Sequence, residues 1–140
     1  MILQVSSSQS YFPGRRPIMA IGLYEKVGGR SKIQEIVTRF YDRALADPSL
    51  RHFFERADMD GLRTRQSMFL SMLLGGRRTY GGRDIREAHA ESRARGLNET
   101  HFDLLMEHFR VALTESGVGE EAVAETLALL EGTRNDVLGR

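Results

Sequence analysis

The sequence predicts an all-α chain. Apolar residues recur at three- and four-residue spacing in one segment after another. Gly-Gly pairs, an Asp-Pro step and single glycines stand between those segments as stops. No stretch alternates apolar and polar residues strongly enough to compete as a strand. At 140 residues the chain is sized for one domain. A domain of that size buries roughly two-thirds of its unfolded surface, enough for one core and a ligand cavity.

Residues 1–22 carry Ser6-Ser7-Ser8, Pro13, Gly14, Arg15-Arg16 and Pro17, which break any periodicity. They read as a flexible N-terminal extension ahead of a domain over residues 23–140. A secretory signal would need a basic end before a long apolar core, and neither is there. Met19 stands just before the globular pattern and leaves the native start open. Leu23 to Val27 makes a short helix that stops at Gly28-Gly29. Ser31 is the N-cap candidate for the next helix. There Ile33, Val37, Phe40, Tyr41, Ala44 and Leu45 recur at helical spacing, and Asp47-Pro48 ends it. Leu50 to Arg56, with Phe53-Phe54, is a compact apolar corner.

Asp60 is the N-cap candidate for a helix with Leu62, Gln66, Phe69, Leu70 and Leu73 on one face, and Gly75-Gly76 ends it. Residues 77–84 read as loop, 85–92 as a short helix holding His89, and 93–97 as a turn. Asn98 is a cap for a helix striped by Phe102, Leu105, Met106, Phe109 and Leu113, with Gly117 as terminator. A last helix runs from about Glu120, with Val123, Leu127 and Leu130 inward. Its first turn holds Glu120 and Glu121, where the helix dipole favours acids.

Composition narrows the function. A net charge of +1 argues against a dedicated nucleic-acid or acidic-membrane binder. The basic residues are 18 Arg and 2 Lys, mixed with Glu and Asp, and read mainly as solvated surface. One or two could fork onto an anionic ligand. The absence of cysteine removes disulfides, thiolate catalysis and Cys-ligated metals, and fits a reducing, cytoplasmic setting. No run approaches the ~18 apolar residues of a membrane span.

Four histidines occur, His52, His89, His101 and His108, in no HExxH or HxxxH pattern. His101 and His108 share a helix face two turns apart with no acidic third ligand evident, and read as surface or rim residues. His52 reads as a corner residue. Taken alone, His89 is an ordinary partly buried histidine. Gln66 puts an amide on an apolar stripe, and Tyr41 puts a hydroxyl on an inward face. Burying such a group unpaired costs on the order of 1–3 kcal/mol. Either the two bond to each other or to the backbone, or both point into a cavity.

The stretch from Phe69-Leu70 through Gly75-Gly76, Tyr80 and Arg83 to His89 resembles, in order and spacing, the truncated haemoglobins, or 2-on-2 globins. Leu23 to Gly29, Phe40 to Asp47, Phe53-Phe54, Asp58-Met59 with Leu62 and Gln66, His101-Phe102-Asp103 and Asp136-Val137-Leu138 carry the same resemblance. Group I, with protozoan and cyanobacterial members, fits best. The other two groups usually place a tryptophan beside the haem, and this chain has none.

The resemblance implies a shortened globin, two helices packed across two in a sandwich around haem b. It implies His89 as the proximal iron ligand, with Tyr41 and Gln66 as distal donors beside an apolar Leu62. Phe53, Phe54 and Phe69 would pack on the haem. Arg65, Tyr80 and Arg83 would meet the propionates, though a solvated role fits each equally. Arg65 stands where some cyanobacterial members carry a distal iron-binding histidine, so six-coordination by that route is not implied. Thr133 stands near where those members have a histidine that bonds a haem vinyl, so the haem would be non-covalent. The implied function is reversible binding of dioxygen, and of nitric oxide and carbon monoxide, for oxygen binding, transport or storage. The alternative is nitric oxide dioxygenation, with electrons from an external reductase, because the chain has no flavin or nicotinamide motif. The expected partners include no nucleic acid and no membrane, and the chain would be a monomer or weak dimer.

Overall fold

The computed structural model describes residues 22–75 and 82–140. Residues 1–21 and 76–81 lie outside the described residues, and with them most of the expected extension over 1–22 and of the expected loop over 77–84. Eight α-helices follow in order among the described residues: α1 (Leu23–Val27), α2 (Gly29–Ala46), α3 (Met59–Gly75), α4 (Gly82–Ala88), α5 (Ala90–Ala94), α6 (Glu99–Glu115), α7 (Glu120–Glu131) and α8 (Arg134–Leu138). A 3₁₀ turn at Arg51–Phe54 forms the apolar corner.

Gly28 makes the break between α1 and α2. Its φ of 122° is one that side chains rarely allow, and a Cβ there would lie 2.8 Å from Cβ of Lys32. Two glycines therefore start α2 at Gly29, with no side-chain cap, and Ser31 falls inside the first turn rather than capping it. The start of α3 differs in the same way. Asp58 Oδ1 accepts the Gly61 N–H at 3.3 Å, while Asp60 sits in the first turn and pairs with Arg63 at 3.2 Å. Asn98 does cap α6. Its side chain accepts from the N–H groups of Thr100 and His101, and the Asn98 N–H donates to His101 Nδ1 at 3.1 Å.

α2 packs on α3 and on α6, and α6 packs on α7, which gives the two-over-two sandwich. The core gathers where these four meet, around Ile33, Ile36, Val37, Phe40, Leu70, Leu74, Phe109, Leu113 and Leu130. Phe40 stacks on Phe109 at 3.9 Å between ring centroids. A smaller cluster of Ile85, Leu97, Phe102 and Val137 ties α4 and α8 to α6.

The proximal region differs from the expectation of one helix over 85–92. α4 already begins at Gly82, and the chain breaks at His89 (φ −107°, ψ 7°) before α5 starts. α8 is also additional, because α7 stops at Glu131 and Gly132-Thr133 turn the chain into it.

The exit of α2 is fastened to α6. Arg43 Nε donates to His108 Nδ1 at 3.2 Å, so the ring carries its proton on Nε2, which donates to Asp47 Oδ2 at 2.9 Å. Asp47 Oδ1 accepts the Ser49 N–H at 2.9 Å. The His108 hydrogen bond, followed by the one from Ser49, holds the Asp47 carboxyl below its ordinary range. A depressed folded pKa gives stability that is present above the unfolded value, near ~3.9, and lost as pH falls through the folded value. Asp47→Ala should therefore lose about 1.5–3 kcal/mol at pH 6. In urea unfolding the gap to the parent should narrow below about pH 4, and a gap that persists at low pH would contradict this role.

Candidate functional site

One cavity of about 440 Å³ lies inside the sandwich. α3 contributes Leu62, Arg65, Gln66 and Phe69 to its walls, and the corner contributes Phe53 and Phe54. Phe40 and Tyr41 of α2 line it, as do Leu105, Met106 and Phe109 of α6. Ile85, Ala88 and His89 complete it from the proximal segment. Leu62, Gln66 and Phe69 share the inward stripe of α3 with Leu70, yet only Leu70 is fully buried. The others border the cavity on one side, with Leu62 and Phe69 packed against the core on the other.

His89 is held by its ring. Nδ1 lies 2.8 Å from the Ile85 carbonyl, one turn earlier on α4. A carbonyl only accepts, so Nδ1 carries the proton and Nε2 keeps its lone pair. Burial lowers the pKa of this histidine; the Ile85 bond opposes that shift and the Arg93 charge adds to it. The result is a neutral imidazole on the cavity wall with one nitrogen free to ligate, the form in which histidine binds a metal. Among the described residues no group of three or more His, Cys, Asp or Glu is placed to hold a metal ion. The iron of a porphyrin asks the protein for a single proximal imidazole of this kind. The donor set and the aromatic walls fit haem.

Tyr41 and Gln66 both line this cavity. Neither the Tyr41 hydroxyl nor the Gln66 amide makes a hydrogen bond among the described residues, and the two are not bonded to each other. Tyr41 is packed edge-on against Phe54, with centroids 5.7 Å apart at 86°. Burial pushes its phenol well above the ordinary value, and the charges of Arg65 and Arg63 offset this only in part. It remains an O–H donor.

Arg65 is exposed at the cavity edge. Tyr80 lies outside the described residues, as does the side chain of Arg83. Thr133 lines the cavity, and its hydroxyl donates to the Leu130 carbonyl at 2.7 Å. His52 leans on Phe53 in the corner, His101 closes the α6 cap, and His108 serves the Asp47 clamp. Sequence reasoning missed Arg56, Glu91, Ser92 and Arg95, which also border the cavity. Periodicity is blind to them because they sit on short elements and turns.

Comparison with known proteins places this arrangement. A family model for the bacterial-like globins matches residues 22–138. The group 1 truncated hemoglobin of Tetrahymena pyriformis is 39% identical, over 84% of this chain and 95% of that protein. The group 1 truncated hemoglobin GlbN of Synechocystis sp. is 43% identical over 76% of this chain and 87% of that protein. Among solved structures, the Fe(III) form of the Tetrahymena pyriformis truncated hemoglobin superposes with a TM-score of 0.76 at 38% identity. It covers 86% of this chain and 100% of its own. The cyanomet 2/2 hemoglobin of Synechococcus sp., which carries covalently attached heme, gives 0.79 at 33% identity, with 86% and 100% covered.

The raised phenol of Tyr41 is measurable. In an ultraviolet titration of the folded protein, one tyrosine should stay un-ionised when pH passes ~10, the ordinary tyrosine value. That silent residue should be missing from the count in Tyr41→Phe. Ionisation of every tyrosine near the ordinary value would show Tyr41 to be solvated.

Proposed function

The chain belongs to the bacterial-like globins and, within them, to the group 1 truncated haemoglobins, and on that premise we propose that it holds haem b through His89 and binds dioxygen reversibly. Membership of a globin family implies a haem protein. The residue roles and the ligand are our reading. The observation that carries it is the His89 ring, neutral, pinned through Nδ1 to the Ile85 carbonyl and set in the wall of an aromatic-lined cavity.

Haem, when bound, would supply an iron able to take a diatomic gas. His89 offers Nε2, and the Ile85 carbonyl fixes which nitrogen that is. Phe53, Phe54 and Phe69 line the cavity with flat apolar surface suited to a porphyrin. Tyr41 and Gln66 supply an O–H and an N–H to a ligand end that carries partial negative charge. Leu62 beside them has nothing to donate, so discrimination between a polar and a less polar ligand falls to those two. Arg65, at the edge, is suited to a carboxylate of the haem. Thr133 already spends its hydroxyl on Leu130 and has no imidazole to add to a vinyl group, which supports non-covalent haem.

His89→Ala should abolish stable haem binding or leave a grossly altered absorption spectrum. Because a bound group stabilises the fold by mass action, its melting temperature should drop as well. An unchanged spectrum and stoichiometry would overturn the assignment.

Dioxygen release tests the distal pair. A hydrogen bond to a charge-bearing group is worth about 1.5–3 kcal/mol, so removing one donor should speed release roughly 10- to 150-fold. Stopped-flow traces of Tyr41→Phe, Gln66→Leu and the double variant should show this for dioxygen and far less for carbon monoxide. The two donors would share one ligand, so their effects should not add. Equal changes for both gases would instead make these residues an access gate.

A further inference from the structure

We propose that Arg93 is a positioning residue for His89, clamping the backbone on both sides of it and locking that segment to the C-terminal helix. The proposal rests on His89 being the axial ligand. His89 is poorly held by its own secondary structure. It stands at the break between α4, which has 7 residues, and α5, which has 5. Helices that short have little stability of their own. The His89 N–H reaches only the Arg86 carbonyl, at 3.3 Å. That carbonyl is also taken by Arg93, whose Nη1 donates to it at 3.0 Å.

The same Nη1 donates to the Val137 carbonyl of α8, again at 3.0 Å. The Arg93 backbone closes the other side, its N–H donating to the His89 carbonyl at 3.0 Å. One residue thus grips the carbonyl that holds His89 from before and the carbonyl of His89 itself. Gly139 makes room for this. It turns at φ 75°, and a Cβ there would lie 2.6 Å from Arg93 Nε. The side chain is only partly exposed, so these charge-assisted bonds are worth more than a surface pair. Arg93 does not itself line the cavity but holds two residues that do, His89 and Val137, so the test must separate the route through His89 from the one through α8.

The test uses the haem-loaded protein and reads the iron–imidazole stretching band of the ferrous, ligand-free form by resonance Raman spectroscopy. Arg93→Ala should shift and broaden the band and speed haem loss roughly tenfold or more. Arg93→Lys keeps the charge and a donor, and should move the band part of the way back. If Arg93→Ala holds no haem, displacement of the band in Arg93→Lys decides the matter. Asp136→Asn breaks the Arg86–Asp136 bridge (3.1 Å) and loosens α8 by another route. It should lower the melting temperature but leave the band in place. A band unmoved in both Arg93 variants, or moved as far by Asp136→Asn, would reduce Arg93 to a fastener of α8 and overturn the proposal. A parent protein with no iron–imidazole band would refute the axial role of His89 itself, a separate failure.

Discussion

The candidate site depends first on the hydrogen bond between His89 Nδ1 and the Ile85 carbonyl, at 2.8 Å. That bond decides the tautomer, and so decides which nitrogen the cavity sees. The bond is only as fixed as the carbonyl that accepts it. Ile85 is buried in the small cluster with Leu97, Phe102 and Val137, which belong to the α6 approach, α6 and α8. Apolar packing at one remove therefore sets the chemistry of a polar group. A helix as short as α4 could not do this alone. It needs α6 beneath it and α8 across it.

A cavity inside a small domain is packing given up, since every void forfeits contacts its lining would otherwise make. The core makes up for this by segregation. Ile33, Ile36, Val37, Leu74, Ala112, Leu113 and Val123 pack in the core away from the cavity lining. Leu62, Gln66, Phe69, Leu105 and Met106 stay only partly buried on the cavity side. Phe40 and Tyr41 lie at the seam. Phe40 is stacked on Phe109, while Tyr41 is set against Phe54 of the corner. Neighbours in sequence thus join the core to the site.

The helices that carry the sandwich were legible because each is long enough to show a stripe. The stripes of α2, α3, α6 and α7 all proved to face inward, although Ile36, fully buried, escaped the count. The candidate residues with described side chains converge on one cavity. What escaped the sequence is short or conformational. Ser31 and Asp60 have cap chemistry, yet glycine geometry at Gly28 and the side chain of Asp58 set those starts instead. The break at His89 leaves no mark in apolar spacing, and neither does a five-residue α8. Gln66 was legible as a polar residue on an apolar stripe. That pattern could not decide between a bond to Tyr41 and an open face on a cavity, because both satisfy the same amide.

Some of the 18 arginines, against 2 lysines, have a local use that composition could not reveal. Read as solvated surface, these residues would be interchangeable with lysine. Around the proximal segment several of them are not. Arg86 donates to the Arg140 carbonyl at 2.7 Å, Arg93 to those of Arg86 and Val137, and Arg95 to that of His52 at 2.8 Å. All but the Arg93–Arg86 bond span elements distant in sequence, and each ends on a backbone oxygen that a helix end or turn would otherwise leave to water. A guanidinium suits this task. It is weakly hydrated, it presents a rigid fork of donors, and a partner such as Asp136 or Glu91 can take its other face. A lysine ammonium would give up more hydration and hold no fixed direction. α4 and α5 are too short to bury a wide apolar stripe, so their position is set by these side chains and by one buried isoleucine. The segment that presents His89 is therefore held on two sides: Ile85 and Arg95 hold it from the cavity border, and Arg86 and Arg93 fasten it to the C-terminal end of the chain and to α8.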